Sequence, residues 1–332
     1  MKRVLLLTTG GTIAARPGLE GLEPGVSGEE LLLGLGDLRQ RFRIQVRRLL
    51  DLDSSNIQAE EWQLMARSVY EAIGDFDGVV ITHGADTMAY SASMLSFMLP
   101  GLRKPVVLTG SQIPMGNMLT DARSNLLCAL AAVDAGIPGV SVAFNRHIIR
   151  GCRAVKVRTM GFDAFESVNA RYRGEIFADG LRVYDREELP AGTPFLLRDQ
   201  VSTDVLLLKL IPNTKPELFD HLRDLGYRGL VLETFGAGGL HFRHRDLLEK
   251  LRLLRDQGIV VAACSQCLYE TSDFTIYEVG RKVLETGVIP ADDMTTEAAV
   301  TKLMWALGQT SDPEEVRRIF RTNLCGELGV RN

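Results

Sequence analysis

Residues 78–88 read GVVITHGADTM: an unbroken apolar run, then a turn built of hydroxyls, a glycine and a carboxylate. The start of the chain repeats the design. Val4-Leu5-Leu6-Leu7 runs into Thr8-Thr9-Gly10-Gly11-Thr12-Ile13-Ala14, or TTGGTIA. Apolar residues in a row, without polar alternation, suit a strand buried on both faces. Similar runs occupy residues 44–46, 106–108, 140–144, 205–210, 230–232 and 259–262. Between them lie amphipathic stretches at 60–73, 121–135 and 242–257, with apolar residues at helical spacing. Buried strands alternating with helices predict a parallel sheet covered on both faces, the doubly wound α/β architecture.

The chain has 332 residues, which favours two domains over one. A change of composition marks the division. Residues 185–204, DREELPAGTPFLLRDQVSTD, are rich in charge, Pro and Gly and lack periodicity. The expected organisation is a larger N-terminal catalytic domain over 1–185, a linker over 186–204, and a smaller C-terminal α/β domain over 205–332. Near the end, Asp312-Pro313-Glu314-Glu315 predicts the capped start of a last helix.

Composition excludes several classes. The net charge is -4 with signs mixed along the chain, which argues against nucleic acid or an anionic membrane as partner. No apolar run nears the roughly 20 residues that span a bilayer. The start, MKRVLLL, is basic then apolar, but the run stops at Thr8, too short for a signal sequence. A cytoplasmic protein is expected. The five cysteines fit that location. Cys264-Ser-Gln-Cys267 has redox-motif spacing, yet no second such pair supplies a zinc set. A buried cysteine is more often a small hydrophobe.

In open α/β sheets, ligands bind beyond the carboxyl ends of the strands. Both opening turns lie there. Gly10, Gly11 and Gly84 let backbone approach a ligand closely and leave N–H groups open. Thr12 offers a hydroxyl, and Asp86 and Thr87 add a carboxylate and another hydroxyl. Each also has a plainer use: Thr12 as a turn cap, Asp86 as the N-cap of the following helix. Leu52-Asp53-Ser54-Ser55-Asn56 is a third candidate, again explicable as an N-cap before the helix near Glu60. His83 reads as a structural, hydrogen-bonding histidine. No second histidine stands at metal-ligand spacing, and no metal site is expected. The dinucleotide fingerprint GxGxxG is missing from the first turn, and the GxSxG elbow from the chain.

TTGGTIA and THGADTM together resemble the L-asparaginases of the two-domain α/β type. The likeness continues through KPVVLTGSQIP at 104–114, GFDAF at 161–165, CSQC at 264–267 and AAVTKL at 298–303. MAYSASMLSFML at 88–99 resembles the cytoplasmic, type I branch. The resemblance spans essentially the whole chain. It implies hydrolysis of asparagine to aspartate and ammonia without a cofactor. It implies Thr12 as the nucleophile, with Ser54, Ser55 and Asp86 holding the α-carboxylate and α-ammonium of the substrate. Asp53, Gly11 and Gly84 join them as candidate substrate contacts. Lys156, in GCRAVK, matches the lysine of the family's proton relay. The backbone N–H groups of Thr12 and Ala85 would form the oxyanion hole. A homodimer or homotetramer is implied as well.

Three positions depart from the pattern. The family has a threonine where this chain has Ala85, and that hydroxyl links Lys156 and Asp86 to the substrate. Alanine keeps the backbone N–H but removes the link, and losing an acid–base element costs about 10²–10⁴ in rate. The loop at 15–28, whose glycines and prolines suit a closing lid, lacks the family's frequent tyrosine; Leu22 stands near its place. The branch can have an effector site for asparagine, matched here by LETFGAGG at 232–239 with CSQC, and Glu233 stands where some relatives have a basic residue, which argues against allosteric control. The expected function is therefore an asparaginase slowed by Ala85. The alternatives are a catalytically silent amino-acid-binding protein and the amidase subunit of a tRNA-dependent amidotransferase. Such a subunit is expected to carry an additional N-terminal module.

Overall fold

The computed structural model describes residues 1–18, 21–33, 35, 38, 40–186 and 190–329. Residues 19 and 20 of the expected lid and 187–189 of the expected linker lie outside them. The chain divides into two units, Met1–Asp199 and Gln200–Asn332.

The N-terminal unit contains β1 (Lys2–Gly10), β2 (Ala15–Pro17), β3 (Leu22–Pro24), α1 (Gly28–Leu33), β4 (Phe42–Leu52), α2 (Ala59–Ala72) and β5 (Gly78–Thr82). It continues with α3 (Met88–Met98), β6 (Pro105–Thr109), α4 (Ala122–Asp134), β7 (Gly139–Phe144), β8 (His147–Arg150), β9 (Ala154–Lys156), β10 (Phe165–Ser167), β11 (Gly174–Phe177) and β12 (Gly180–Val183). Its main sheet has eight strands in the order β12-β11-β8-β7-β6-β5-β1-β4. From β4 to β7 the pairings are parallel, as the continuous apolar runs predict. Successive strand residues point to opposite faces. Val4, Leu6, Val80 and Val107 pack on Leu126, Ala129 and Val133 of α4. Their neighbours Leu5, Leu7, Val79 and Ile81 are equally inaccessible. Each such side chain contributes about 1.5–3 kcal/mol by leaving water.

The sheet is mixed. Beyond β7 it is extended by antiparallel pairings to β8, β11 and β12. A second antiparallel pair, β9 with β10, sets Lys156 opposite Phe165. The residues expected to form a lid begin as the hairpin β2–β3, with Ala15 opposite Pro24.

The C-terminal unit holds β13 (Val205–Lys209), β14 (Gly229–Thr234), α5 (Leu247–Asp256), β15 (Val260–Ser265), α6 (Glu278–Glu285), β16 (Ile289–Pro290), α7 (Thr296–Gln309) and α8 (Pro313–Arg321). Its four strands pair in parallel in chain order. Leu230, Leu232 and Val261 form its core with Leu248 and Leu251 of α5. The helix expected from residue 242 starts at Leu247, because the Asp246 carboxylate caps it, accepting from Leu248 N at 2.8 Å. Asp312 caps α8 as expected, accepting from Glu314 N at 3.0 Å. A buried pair ties α7 to the residues after α8: Lys302 Nζ lies 2.5 Å from Glu327 Oε1, with both side chains fully enclosed. Lys302 also donates to the Thr322 carbonyl at 2.6 Å, and Glu327 accepts from Leu324 N and Cys325 N. Those extra bonds offset the desolvation of two ions.

Candidate active site

Three chain turns meet at the carboxyl ends of β1, β4 and β5. The contact is backbone on backbone, and glycine makes it possible. Gly11 has φ +78°, and a Cβ there would fall 2.4 Å from Gly84 N. A Cβ on Gly84 would fall 2.6 Å from Ser54 Oγ. Gly11 N donates to the Leu52 carbonyl at 3.0 Å, tying the first turn to the end of β4. Thr87 Oγ1 donates to the Ser54 carbonyl at 2.7 Å, tying the second turn to the third. Gly11, Gly84 and Ser54 are thus brought together, although 73 and 30 positions separate them in the chain.

Thr12 follows Gly11 and is half-buried at the head of a short 3-10 turn, Thr12–Ala14. Ala85 follows Gly84 and is 6% exposed. Neither Thr12 N–H nor Ala85 N–H has an acceptor among the described residues. Backbone amides away from water usually find partners, so two unpartnered ones beside one contact point are a feature to be explained.

Asp86 does not cap the following helix; Thr87 holds that position and its side chain makes no cap bond. The Asp86 carboxylate instead pairs with Lys156, Oδ1 to Nζ 2.5 Å. The Lys156 side chain is mostly enclosed at 16% exposure, while that of Asp86 is open at 63%. A free face of the carboxylate therefore remains for a second cation.

Asp53 is a cap, but not of α2. It caps the 3-10 turn Ser54–Asn56, accepting from Ser55 N at 2.8 Å. At the start of α2, the Glu61 carboxylate accepts from Gln58 N at 2.8 Å. Ser54 is 2% exposed and Ser55 is open to solvent.

His83 is fully enclosed, as a structural histidine should be. Its Nδ1 lies 2.7 Å from the Gly84 carbonyl and its Nε2 2.8 Å from Ser91 Oγ. Burial pushes its pKa down to about 4, so the ring is neutral near pH 7. The bonding of His83 to its own neighbour is not legible from spacing, since it depends on Ser91 of α3 and on Trp62 of α2, whose Nε1 donates to Ser91 Oγ at 2.9 Å.

The first thiol of the Cys264–Cys267 pair is held in its neutral form. Cys264 is enclosed, and burial pushes its thiol up to about 12. Cys267 is exposed. Glu233 accepts from Thr296 Oγ1 at 2.8 Å and stands 3.6 Å from Lys209 Nζ, so its carboxylate is engaged within the unit.

The family model described as "Asparaginase, N-terminal" matches residues 3–189, and that described as "Glutaminase/Asparaginase C-terminal domain" matches 204–320. The chain is 42% identical to an L-asparaginase of Thermococcus kodakarensis over 98% of its own length and 99% of the relative's. The solved structure of a thermostable L-asparaginase from that organism superposes with a TM-score of 0.94 at 41% identity, covering 99% of this chain and 100% of that one. L-asparaginase I of Vibrio cholerae superposes at 0.87 with 32% identity, covering 99% of each chain. One subunit of a glutamyl-tRNA(Gln) amidotransferase from Methanothermobacter thermautotrophicus is 36% identical, over 99% of this chain and 77% of that protein. The glycine-lined turns, their order along the chain and the two-unit fold thus place this protein in the asparaginase family of amidohydrolases.

Proposed function

We propose that the chain hydrolyses the side-chain amide of L-asparagine to L-aspartate and ammonia, with Thr12 as nucleophile. The observation that carries this reading is the pair of open N–H groups, at Thr12 and Ala85, beside the Gly11–Gly84 contact. Thr12 Oγ1 attacks the amide carbon, and the oxygen that gains charge sits between the two donors, an oxyanion hole. The C–N bond then breaks, ammonia leaves with a proton, and water cleaves the resulting ester to free Thr12. Asp86, with one face of its carboxylate open, holds the α-ammonium. Ser54 and Ser55, with Asp53 fixing their turn, lie on the side that receives the α-carboxylate.

Lys156 is the proposed proton carrier, held beside the turn through its pairing with Asp86 at 2.5 Å. Ala85 supplies no hydroxyl to connect it with the nucleophile, so turnover is slowed by about 10²–10⁴ relative to a threonine at that position. The active species is a homodimer or homotetramer.

The test is ammonia release from asparagine by this chain and by its Thr12→Ala form. Loss of release in the variant, with asparagine still bound, is expected. Equal release from both would remove Thr12 from the reaction. Ala85 also favours a second reading, a silent amino-acid-binding protein. That reading requires asparagine binding in calorimetry with no ammonia even after prolonged incubation.

A further inference from the structure

We infer that His83 is a positioning residue: locked by Ser91 and Trp62, it sets the direction of the Ala85 N–H. This rests on the reading of that N–H as an oxyanion donor. Any Cβ on Gly84 would strike Ser54 Oγ, so the position requires glycine. Glycine, however, leaves the Gly84–Ala85 peptide free to turn over, because no side chain restricts its torsions. A turned peptide would present the Gly84 carbonyl, not the Ala85 N–H, to the developing oxyanion. Something outside the turn must hold it.

The hydrogen positions follow by elimination. The indole Nε1 of Trp62 only donates, and it donates to Ser91 Oγ at 2.9 Å. The Gly84 carbonyl only accepts, so the His83 nitrogen 2.7 Å away, Nδ1, carries the hydrogen. In the neutral ring Nε2 is then bare and accepts from the Ser91 hydroxyl at 2.8 Å. Each donor has one acceptor, and a single tautomer satisfies the chain Trp62–Ser91–His83–Gly84. His83 is itself held, its N–H donating to the Thr109 carbonyl at 2.8 Å. No peptide bond is cis, so the Ala85 N–H points opposite to the Gly84 carbonyl. Drawing the carbonyl inward to His83 aims the N–H outward, where it has no acceptor among the described residues.

The experiment uses the full chain with ¹⁵N-labelled histidine, alone and as Ser91→Ala and Ser91→Thr. The expected spectrum shows His83 protonated at Nδ1 between pH 5 and 8. Ser91→Ala removes the donor to Nε2, so it is expected to shift the bare Nε2 resonance, to free the ring to turn, and to lower kcat for asparagine by tenfold or more. The ceiling is the roughly 10²–10³ that removal of one oxyanion donor costs. KM should stay within about threefold, because ground-state contacts are untouched. Ser91→Thr, which keeps the hydroxyl, should restore both. His83 protonated at Nε2 in the unaltered chain would overturn the inference. So would a Ser91→Ala form with unchanged kcat, or one whose losses fall on KM alone. A chain without activity on asparagine would sink the proposed reaction, while the tautomer would still decide the role of His83.

Discussion

Replacing Ala85 by threonine is the sharpest perturbation of this site. The side chain at 85 is 6% exposed and adjoins Asp86, which Lys156 pairs at 2.5 Å from a mostly enclosed position. In the proposed reaction, a hydroxyl there would connect the Lys156–Asp86 pair to the reacting centre. Restoring an acid–base element of this kind is worth about 10²–10⁴ in rate, or roughly 2.7–5.5 kcal/mol of barrier. The added methyl and hydroxyl must fit an enclosed position, at a cost of about 1–3 kcal/mol in stability. Ala85→Thr is therefore expected to release ammonia from asparagine at least a hundredfold faster while melting a few degrees lower. The assay is the initial rate of ammonia release, with thermal melts of both forms. A cycle with Lys156→Met isolates the coupling: the gain from threonine should largely vanish without the lysine. Equal and substantial rates for the alanine and threonine forms would refute the reasoning. A gain that survives loss of Lys156 would show that the hydroxyl acts alone.

Other consequences follow from single contacts. Gly11→Ala places a Cβ 2.4 Å from Gly84 N at φ +78°, so it should cost several kcal/mol in urea unfolding or abolish ammonia release; normal behaviour in both would deny the close approach. His83 has its pKa lowered from 6.5 to about 4, so the unfolded chain takes up a proton in this window that the fold refuses. Stability is then full above pH 6.5 and falls by about 3 kcal/mol as the pH drops to 4, a slope that His83→Gln should flatten in urea titrations. Lys302→Ala leaves the enclosed Glu327 carboxylate without its cation and should cost about 3–5 kcal/mol; an unfolding midpoint that does not move would mean the pair is dispensable.

The parts of this fold that sequence reveals are those governed by local chemistry. The runs at 79–81, 106–108 and 230–232 have no polar residue to place toward water, so only strands enclosed on both faces accommodate them, and β5, β6 and β14 lie where expected. The antiparallel extension has no such signal. His147–Arg150 and Gly174–Phe177 mix charged and apolar residues over only four positions each, too few for a period to show. The turn between β7 and β8 uses Asn145 and Arg146, both at positive φ. Asparagine announces such a turn; arginine does not. Asp53 shows a subtler failure. Its expected use as a cap is right in kind, yet it serves the 3-10 turn at Ser54 and leaves α2 to Gln58 and Glu61.

The candidate site divides the same way. Gly11 and Gly84 declare themselves, since a glycine after a buried strand marks a place where backbone must come close. Lys156 does not. It lies 70 positions from Asp86, on a three-residue strand, and nothing in its spacing points to a carboxylate. Resemblance, not periodicity, singles it out, and the 2.5 Å pairing supplies the physical reason. His83 lies between these cases. Its structural, hydrogen-bonding character is readable from the sequence, but the partners that hold its ring include Trp62 and Ser91 on two other elements. In the proposed reaction, a residue that looks merely structural then matters, because the peptide it restrains is the one whose N–H would face the substrate. Ala85 sharpens the point: with its side chain reduced to a methyl, the backbone donor is all that position 85 contributes to the proposed reaction, and such a donor is worth only as much as the accuracy with which it is aimed.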